Sequence, residues 1–412
     1  SLACLPVLML VSRLTPRQQN NQQQAVLLTA VAVMVLPAFA QNAVYPWTKL
    51  LAAFFVVPGL VFWADGAGRG RRPHRELAAG LLAAGLLVHY SAAVYVVAVV
   101  GFELVLTASQ VIRRDWPRLA RSFMTNLRAA AVAVAVVAPW LGWALWMYGP
   151  RGTFATNTAV VDARVYSLAE NLLKMLLNIR DTLLPSFLRG PTDLTRLFQE
   201  QASLLGWIRD SCFLPYQVNF PASLGVVGWA AVLPAAGVIR RALPRSPGLF
   251  WSSVAAVSLL LGVAAHGGRD DNGLAQICCH PLMLLGAGLI VAAVPRLPGW
   301  LRGLVLAGWV VDYLVGTLLQ AWVQSWRFAL TPPAAPGGIP GNTAGLSLCA
   351  TTNLANKVDL GVVFMADRLD SLGLPSGLPL LPAGLLAVGG LAVAGRSLWQ
   401  QRVARAGGNR PG

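Results

Sequence analysis

Apolar residues in this chain fall into long runs that recur from one end to the other, separated by short polar segments. Most runs have about 16 to 22 residues, close to the length of a helix that crosses a hydrocarbon core of roughly 30 Å. The pattern predicts an all-α integral membrane protein with about eleven transmembrane helices and two long extracytoplasmic segments. The predicted crossings are 1–12, 25–40, 48–64, 77–89, 92–109, 129–148, 223–239, 248–266, 274–294, 303–323 and 378–395.

The fourth and fifth apolar runs are nearly continuous, from 77 to 109. A single helix of this length would extend about 50 Å at 1.5 Å per residue, well beyond the hydrocarbon core. We therefore predict two helices with a break at His89, Tyr90 and Ser91.

The distribution of basic residues predicts the orientation. If odd-numbered crossings run inward, the segments that face the cytoplasm are 13–24, 65–76, 110–128, 240–247, 295–302 and the tail from Arg396. These segments hold 20 basic residues against three acidic ones, whereas the rest of the chain holds 12 basic and 13 acidic residues. Cytoplasmic loops of membrane proteins carry such an excess, so the C-terminus is expected in the cytoplasm.

This orientation divides the chain into five parts. They are an N-terminal transmembrane bundle (1–148), an extracytoplasmic loop (149–222), a C-terminal transmembrane bundle (223–323), a second extracytoplasmic loop (324–377), and a last helix with a basic tail (378–412). Because the first apolar run is short and begins at Ser1, we expect the N-terminal bundle to be truncated at its start.

The first extracytoplasmic loop contains a helical pattern at 166–187. Leucines repeat on one face, and Glu170, Lys174, Asn178 and Asp181 share another. The pattern predicts an amphipathic helix. It lies either on the outer membrane surface or packed over the mouth of the bundle.

Composition excludes a water-soluble protein. Hydrophobic residues make up 56% of the chain and charged residues 12%, about half the charged fraction of a soluble domain. The formal net charge is +16, but the arginines lie in short blocks between apolar runs and not on one folded face. Membrane lipid is therefore the expected partner, and nucleic acid is not.

Polar residues on the predicted outer side are the candidates for chemistry. They are Asn42, Tyr45 and Lys49 after the second crossing, His89 and Tyr90 after the fourth, His266, Arg269, Asp270 and Asp271 after the eighth, and His280 in the ninth. Because these loops share one membrane face, they can converge on a pocket. Interfacial anchoring is the alternative for Tyr45 and for the neighbouring Trp47, and snorkelling towards the membrane surface is the alternative for Lys49. A solvated turn with a local ion pair is the alternative for Arg269 with the two aspartates.

Other polar residues leave alternatives open. Glu103 and Asp312 are predicted inside the membrane, either as hydrogen-bonded structural groups or as functional ones. Cys212 and Cys349 fall in the two outer segments, where a disulfide is one alternative. The sequence contains no nucleotide-binding or zinc-binding motif.

The chain resembles the C-type membrane glycosyltransferases, particularly bacterial relatives of protein O-mannosyltransferases and aminoarabinose transferases. The resemblance lies in the run LPAFAQNAVYPWTK that ends at Lys49, in the two short spans that meet at His89, in the long outer loop after the sixth crossing, and in the run CHPLMLL that begins at Cys279. Richness in Ala, Arg and Gly also favours a bacterial origin, and hence the inner membrane.

The resemblance implies transfer of a sugar from a polyprenyl-phosphate donor to an unknown acceptor at the extracytoplasmic face. Such a transfer needs a base for the acceptor and cations for the departing phosphate. We expect Asp270 or Asp271 as the visible base, with the family's first aspartate before Ser1. Lys49, Arg269 and His89 are expected at the phosphate, and the expected binding set is completed by Asn42, Tyr45, Tyr90, His266 and His280. A divalent cation is an open alternative.

Two other classes of function remain open. A secondary transporter or lipid flippase would use Glu103 and Asp312 as coupling groups at membrane depth. A non-catalytic scaffold is the third class. The sequence shows no internal repeat of the kind transporters commonly have, and its large outer segments favour chemistry at one surface.

Overall fold

The computed structural model describes residues 4–15, 19–37, 39, 48–69, 72–155, 167–184, 220, 224–225, 235, 237, 245–268 and 273–314. Every regular element in these residues is helical, as the apolar pattern predicts. The predicted crossing 378–395 and most of the crossing 223–239 lie outside the described residues.

Five helices follow the first five predicted crossings. They are α1 (Cys4–Leu14), α2 (Gln19–Val35), α3 (Thr48–Arg69), α4 (Arg72–Val88) and α5 (Ala93–Ile112). The predicted break is confirmed, because α4 ends at Val88, His89 is extended, and a 3-10 turn over Tyr90–Ala92 precedes α5.

The sixth helix, α6 (Trp116–Ala155), is longer than predicted. Its start lies inside the segment 110–128, which we expected to be a loop before the crossing 129–148. The Asp115 carboxylate accepts a hydrogen bond from the Arg118 N–H at 3.2 Å, which caps the new helix start. The helix is interrupted at Gly149, where φ is 65° and only glycine is unstrained. The basic segment is thus largely helical, because a cap and polar side chains allow a helix to continue into water.

The later described helices are α7 (Leu168–Leu183), α8 (Arg245–Val257), α9 (Ala275–Cys278), α10 (His280–Ala293) and α11 (Gly299–Tyr313). A π-helical turn continues α8 over Ser258–Ala264, and a 3-10 turn follows α10 over Val294–Arg296. The predicted crossing 274–294 is interrupted at Cys279. Pro281 suits the first turn of a helix and not its interior, so a new helix begins there.

Within the described ranges, three segments are long and apolar enough to cross a membrane, namely Thr48–Gly66, Tyr90–Ile112 and Trp116–Pro150. Shorter apolar helices accompany them, over Cys4–Leu14, Gln22–Val35, Leu249–Ala264 and His280–Arg296. By length and composition, these helices indicate a membrane protein. The full set of eleven crossings stays a prediction.

The helix α10 forms the centre of the described core. All of its residues except Leu289 are buried, and α1, α2 and α3 pack around it. On the other side, α3 and α4 pack as a hairpin, and α6 lies on the outside of α4. The outward surface of α6 exposes apolar side chains such as Val134 (64% exposed). This surface is the one expected to face lipid.

Candidate functional site

Three of the predicted polar residues, Lys49, His89 and His280, come together at one end of the bundle; we call them the basic cluster. Lys49 lies in the first turn of α3, His89 in the break before α5, and His280 at the first residue of α10. The Lys49 ammonium is within electrostatic range of both imidazoles, and the two imidazoles are within range of each other. Lys49 and His280 are buried, with 7% and 1% of their surface exposed.

The conformation of His89 determines which ring nitrogen carries the proton. Its Nδ1 accepts a hydrogen bond from the Ser91 N–H at 3.1 Å and caps the 3-10 turn. An accepting Nδ1 carries no hydrogen, so the neutral ring is protonated on Nε2. Burial, and secondly the charge of Lys49, lower the pKa of His89 from 6.5 to about 4. At neutral pH His89 is therefore an uncharged donor through Nε2.

Two tyrosines hold the break that carries His89. The ring of Tyr90 stacks on the imidazole at 4.4 Å between centroids, and its own side chain is exposed. The hydroxyl of Tyr95, which is fully buried, donates to the Cys278 carbonyl at 2.7 Å. This bond joins the start of α5 to the interruption before His280, so it fixes the two histidines relative to each other. Tyr95 is not among the predicted site residues, although its position one turn after the break was a usable signal.

The chemistry of the basic cluster suits an anion. A buried ammonium contributes a full positive charge in a medium of reduced dielectric, and the neutral His89 ring adds a hydrogen-bond donor without further charge repulsion. Phosphate oxygens accept such bonds strongly. The cluster therefore has the composition of a phosphate site at the end of a helical bundle.

The polar face of α7 covers the segment between α8 and α9. Lys174 Nζ donates to the Gly267 carbonyl at 3.3 Å, and Asn178 Nδ2 donates to the Gly268 carbonyl at 3.1 Å. The Leu274 N–H donates to Thr182 Oγ1 at 2.9 Å. These bonds hold both ends of the segment that contains residues 269–272.

The other predicted site residues have different outcomes. His266 is partly buried beside α7, with Nδ1 at 3.3 Å from the Gly268 carbonyl oxygen. Tyr90 lies next to the basic cluster. The remaining candidates lie outside the described residues, and these are Asn42, Tyr45, Arg269, Asp270 and Asp271, together with Cys212 and Cys349.

A metal site is not visible in the described part of the chain. There, no group of three or more His, Cys, Asp or Glu side chains is arranged to hold a metal ion. The basic cluster itself is unsuited to a cation, because Lys49 occupies it with a positive charge. The divalent cation of the sequence analysis stays a prediction.

At the opposite end of the bundle, Glu103 is the centre of a hydrogen-bond network. Its carboxylate accepts from Trp63 Nε1 at 3.0 Å, from Asn126 Nδ2 at 3.1 Å and from the Arg75 guanidinium at 3.0 and 3.1 Å. Arg75 also donates to Asn126 Oδ1 at 2.6 Å and lies over the Trp63 ring. The network joins α3, α4, α5 and α6, so the structural alternative for Glu103 is the one supported.

Asp312 is also fully buried, in α11. Its carboxylate lies directly against Gly225, in the place that a Cβ at that position would occupy. Gly225 has φ of 96°, which independently favours glycine. Asp312 is therefore packed in a fixed position. It belongs to α11, which contributes no residue to the basic cluster.

Comparisons with protein-family models, with curated proteins and with solved structures found no match to this chain. A functional argument accordingly depends on the geometry just described.

Proposed function

We propose that the chain is a multi-pass membrane glycosyltransferase of C type, which moves a sugar from a polyprenyl-phosphate donor to an acceptor at the extracytoplasmic face. The observation that supports it is the convergence of Lys49, His89 and His280 at the bundle end opposite the Glu103 network. In this proposal the protein lies in a bacterial inner membrane, crosses it about eleven times and has its C-terminus in the cytoplasm.

In the chemical step, negative charge develops on the donor phosphate beside the basic cluster. The acceptor oxygen or nitrogen forms a bond to the anomeric carbon, and the bond from that carbon to the phosphate oxygen breaks. The acceptor proton passes to a carboxylate, for which Asp270 or Asp271 is proposed. The departing polyprenyl phosphate keeps the bonding electrons, and the Lys49 ammonium and His89 Nε2–H stabilise the charge that develops.

A transporter or lipid flippase is the second candidate, and buried Asp312 is the observation that favours it. Glu103 supports it less. Glu103 is held by hydrogen bonds from Trp63, Arg75 and Asn126, which is the arrangement of a structural network. A flippase would also bind lipid phosphate, so the test below measures binding and transfer separately.

We expect the substitution Lys49→Met to weaken donor binding by about 10- to 100-fold, the equivalent of one charge-assisted hydrogen bond. The full-length protein in proteoliposomes is titrated with polyprenyl-phosphate mannose that carries a radiolabelled sugar. Arg118→Gln is the matched control, because it removes an exposed positive charge from the other end of the bundle. A thermal melt of each variant confirms that it is folded.

The outcomes separate the proposals. Unchanged donor binding by folded Lys49→Met contradicts the phosphate assignment. Donor binding without any labelled product, accompanied by movement of the labelled lipid to the other leaflet, contradicts the transferase and supports the flippase. Loss of binding and of labelled product in Lys49→Met alone supports the transferase.

A further inference from the structure

The helix α7 buries its polar side and exposes its leucines. Lys174, Asn178, Asp181 and Thr182 are buried, three of them completely. Leu168, Leu172 and Leu176 are 78%, 54% and 66% exposed. A helix on the surface of a protein in water has the opposite arrangement. The predicted amphipathic helix is confirmed, and its polar face is the one that packs on the bundle.

Hydrogen bonds prevent this helix from turning its leucines inward. Its polar face is bonded to the carbonyls of Gly267 and Gly268 and to the N–H of Leu274, at 3.3, 3.1 and 2.9 Å. Its N-terminus is closed by a capping box, in which the Ser167 hydroxyl accepts from the Glu170 N–H and the Glu170 carboxylate accepts from the Ser167 N–H. Rotation about the helix axis would leave these buried groups without partners, which is costly.

The helix lies at the outer level of the membrane-facing surface. Asn126 of α6 belongs to the Glu103 network at the inner end, and Tyr148 is 22 residues further along the helix, about 33 Å at 1.5 Å per residue. Exposed Trp146 and Tyr148 at that level (80% and 58%) have the composition of an interfacial aromatic belt. The helix α7 packs on the π-helical turn Ser258–Ala264. Cys278, two residues before His280, lies against Gly262 of this turn, so α7 lies at the end of the bundle that contains the basic cluster.

We propose that α7 lies in the outer membrane–water interface, with its leucine face inserted among the lipid acyl chains and its polar face on the protein. The occupant of the exposed face is therefore the outer leaflet, with which the lipid-facing surface of α6 is continuous. Arg180 near the end of the helix is ion-paired with the buried Asp181 at 2.7 Å, and 45% of its side chain is exposed. Since α7 is bonded to Val263, Gly267, Gly268 and Leu274, the membrane would set the depth of these residues. This inference does not depend on the proposed transferase activity.

Quenching of a fluorophore by lipid tests this placement. Bimane is attached at Leu176→Cys in the full-length protein, in a background with Cys4, Cys212 and Cys349 replaced by serine, and the protein is placed in nanodiscs that hold one copy each. Val134→Cys in the middle of α6 is the lipid-facing control, and Arg118→Cys is the aqueous control. We expect lipids brominated near the headgroup end of the acyl chain to quench Leu176→Cys at least roughly twofold more than Arg118→Cys. Iodide in the water should show the reverse order.

Two outcomes would overturn the proposal. Quenching of Leu176→Cys by iodide and not by brominated lipid would place the leucine face in water. Protection from both quenchers would mean that protein covers it, either another part of the chain or, if the protection appears only in discs with two copies, a second copy. Leu172→Cys is measured in parallel, so that a folding defect of one variant does not decide the result.

Discussion

At the scale of single residues, two buried charged groups of the described chain have different surroundings. Glu103 accepts hydrogen bonds from donors on three other helices, which joins those helices. Lys49 lies instead beside two imidazoles, and its charge helps to keep His89 neutral. A network of the first kind stabilises a fold and leaves no group available for a ligand. An arrangement of the second kind keeps a positive charge and a neutral donor side by side, as an anion site requires.

We predict that His89 titrates near pH 4 and that Lys49→Met raises its pKa, because the charge of Lys49 is the second cause of the lowering after burial. The pKa should stay below 6.5, since burial remains. The folded pKa lies below the unfolded one, so His89 leaves the stability unchanged above about pH 6.5 and reduces it as the pH falls from 6.5 towards 4.

NMR of ring-labelled histidine follows this titration, and the chain has only four histidines. His89→Gln assigns the signal. A wild-type pKa near 6.5, or no change in Lys49→Met, would contradict the geometry of the cluster.

The sequence predicted that Lys49, His89 and His280 lie at one end of the bundle, but not how they are held. Lys49, His89 and His280 follow from the alternation of apolar runs and basic loops. Tyr95 and Arg75 do not, because their bonds join residues 183 and 28 positions apart. No local pattern specifies such pairs. They form only after the helices have packed.

At the scale of elements, the hairpin of α3 and α4 shows how small residues bring helices together. A Cβ added at Gly59 would lie 2.9 Å from Leu82 Cγ and 3.2 Å from the Ala78 carbonyl oxygen. A Cβ added at Gly85 would lie 2.9 Å from Val56 Cγ2. Close approach of this type is a main source of helix association in lipid, where the hydrophobic effect gives little drive.

We predict that Gly59→Leu destabilises the protein by about 1–3 kcal/mol, because the added side chain overpacks the α3–α4 contact. Gly142→Leu is the matched control. The same substitution in α6 meets no atom within 4 Å, and it carries the same change in helix propensity. Unfolding in mixed detergent micelles measures both variants. Equal stability of the two variants would show that α3 and α4 do not approach each other as described.

Apolar runs predicted most described helices and the break at His89, but not the early start of α6 or the interruption at Cys279. The early start of α6 depends on the cap at Asp115 and the interruption at Cys279 depends on Pro281, and a hydropathy window registers neither. The amphipathic helix α7 was predicted with its correct faces, because a polar stripe at helical spacing appears directly in the sequence. Which of its faces meets the protein depended on partners about 90 residues away.

At the scale of the whole molecule, the described residues form two chemically different ends. One end contains contacts between predicted cytoplasmic segments, namely Arg13 with Asp65, Arg75 with Asn126, and Arg296 with the Leu14 carbonyl. The other end contains the basic cluster and the bonds of α7. Contacts among described residues thus join segments predicted for the same side of the membrane. This agreement is the physical reason to treat the basic cluster as a single site at the other end of the bundle.

We predict that positions 90 and 118 are open to opposite compartments. Tyr90 and Arg118 lie at the two ends of the hairpin formed by α5 and α6, and the 20 residues of α5 extend about 30 Å, the thickness of a hydrocarbon core. Both side chains are more than half exposed.

Tyr90→Cys and Arg118→Cys are made with Cys4, Cys212 and Cys349 replaced by serine, and intact cells are treated with a membrane-impermeant maleimide. Tyr90→Cys should react in intact cells and Arg118→Cys only after the cells are opened. Reaction of both positions from one compartment would mean that no membrane separates the basic cluster from the arginine-rich end. The proposed lipid-phosphate site at the outer face would then have no basis.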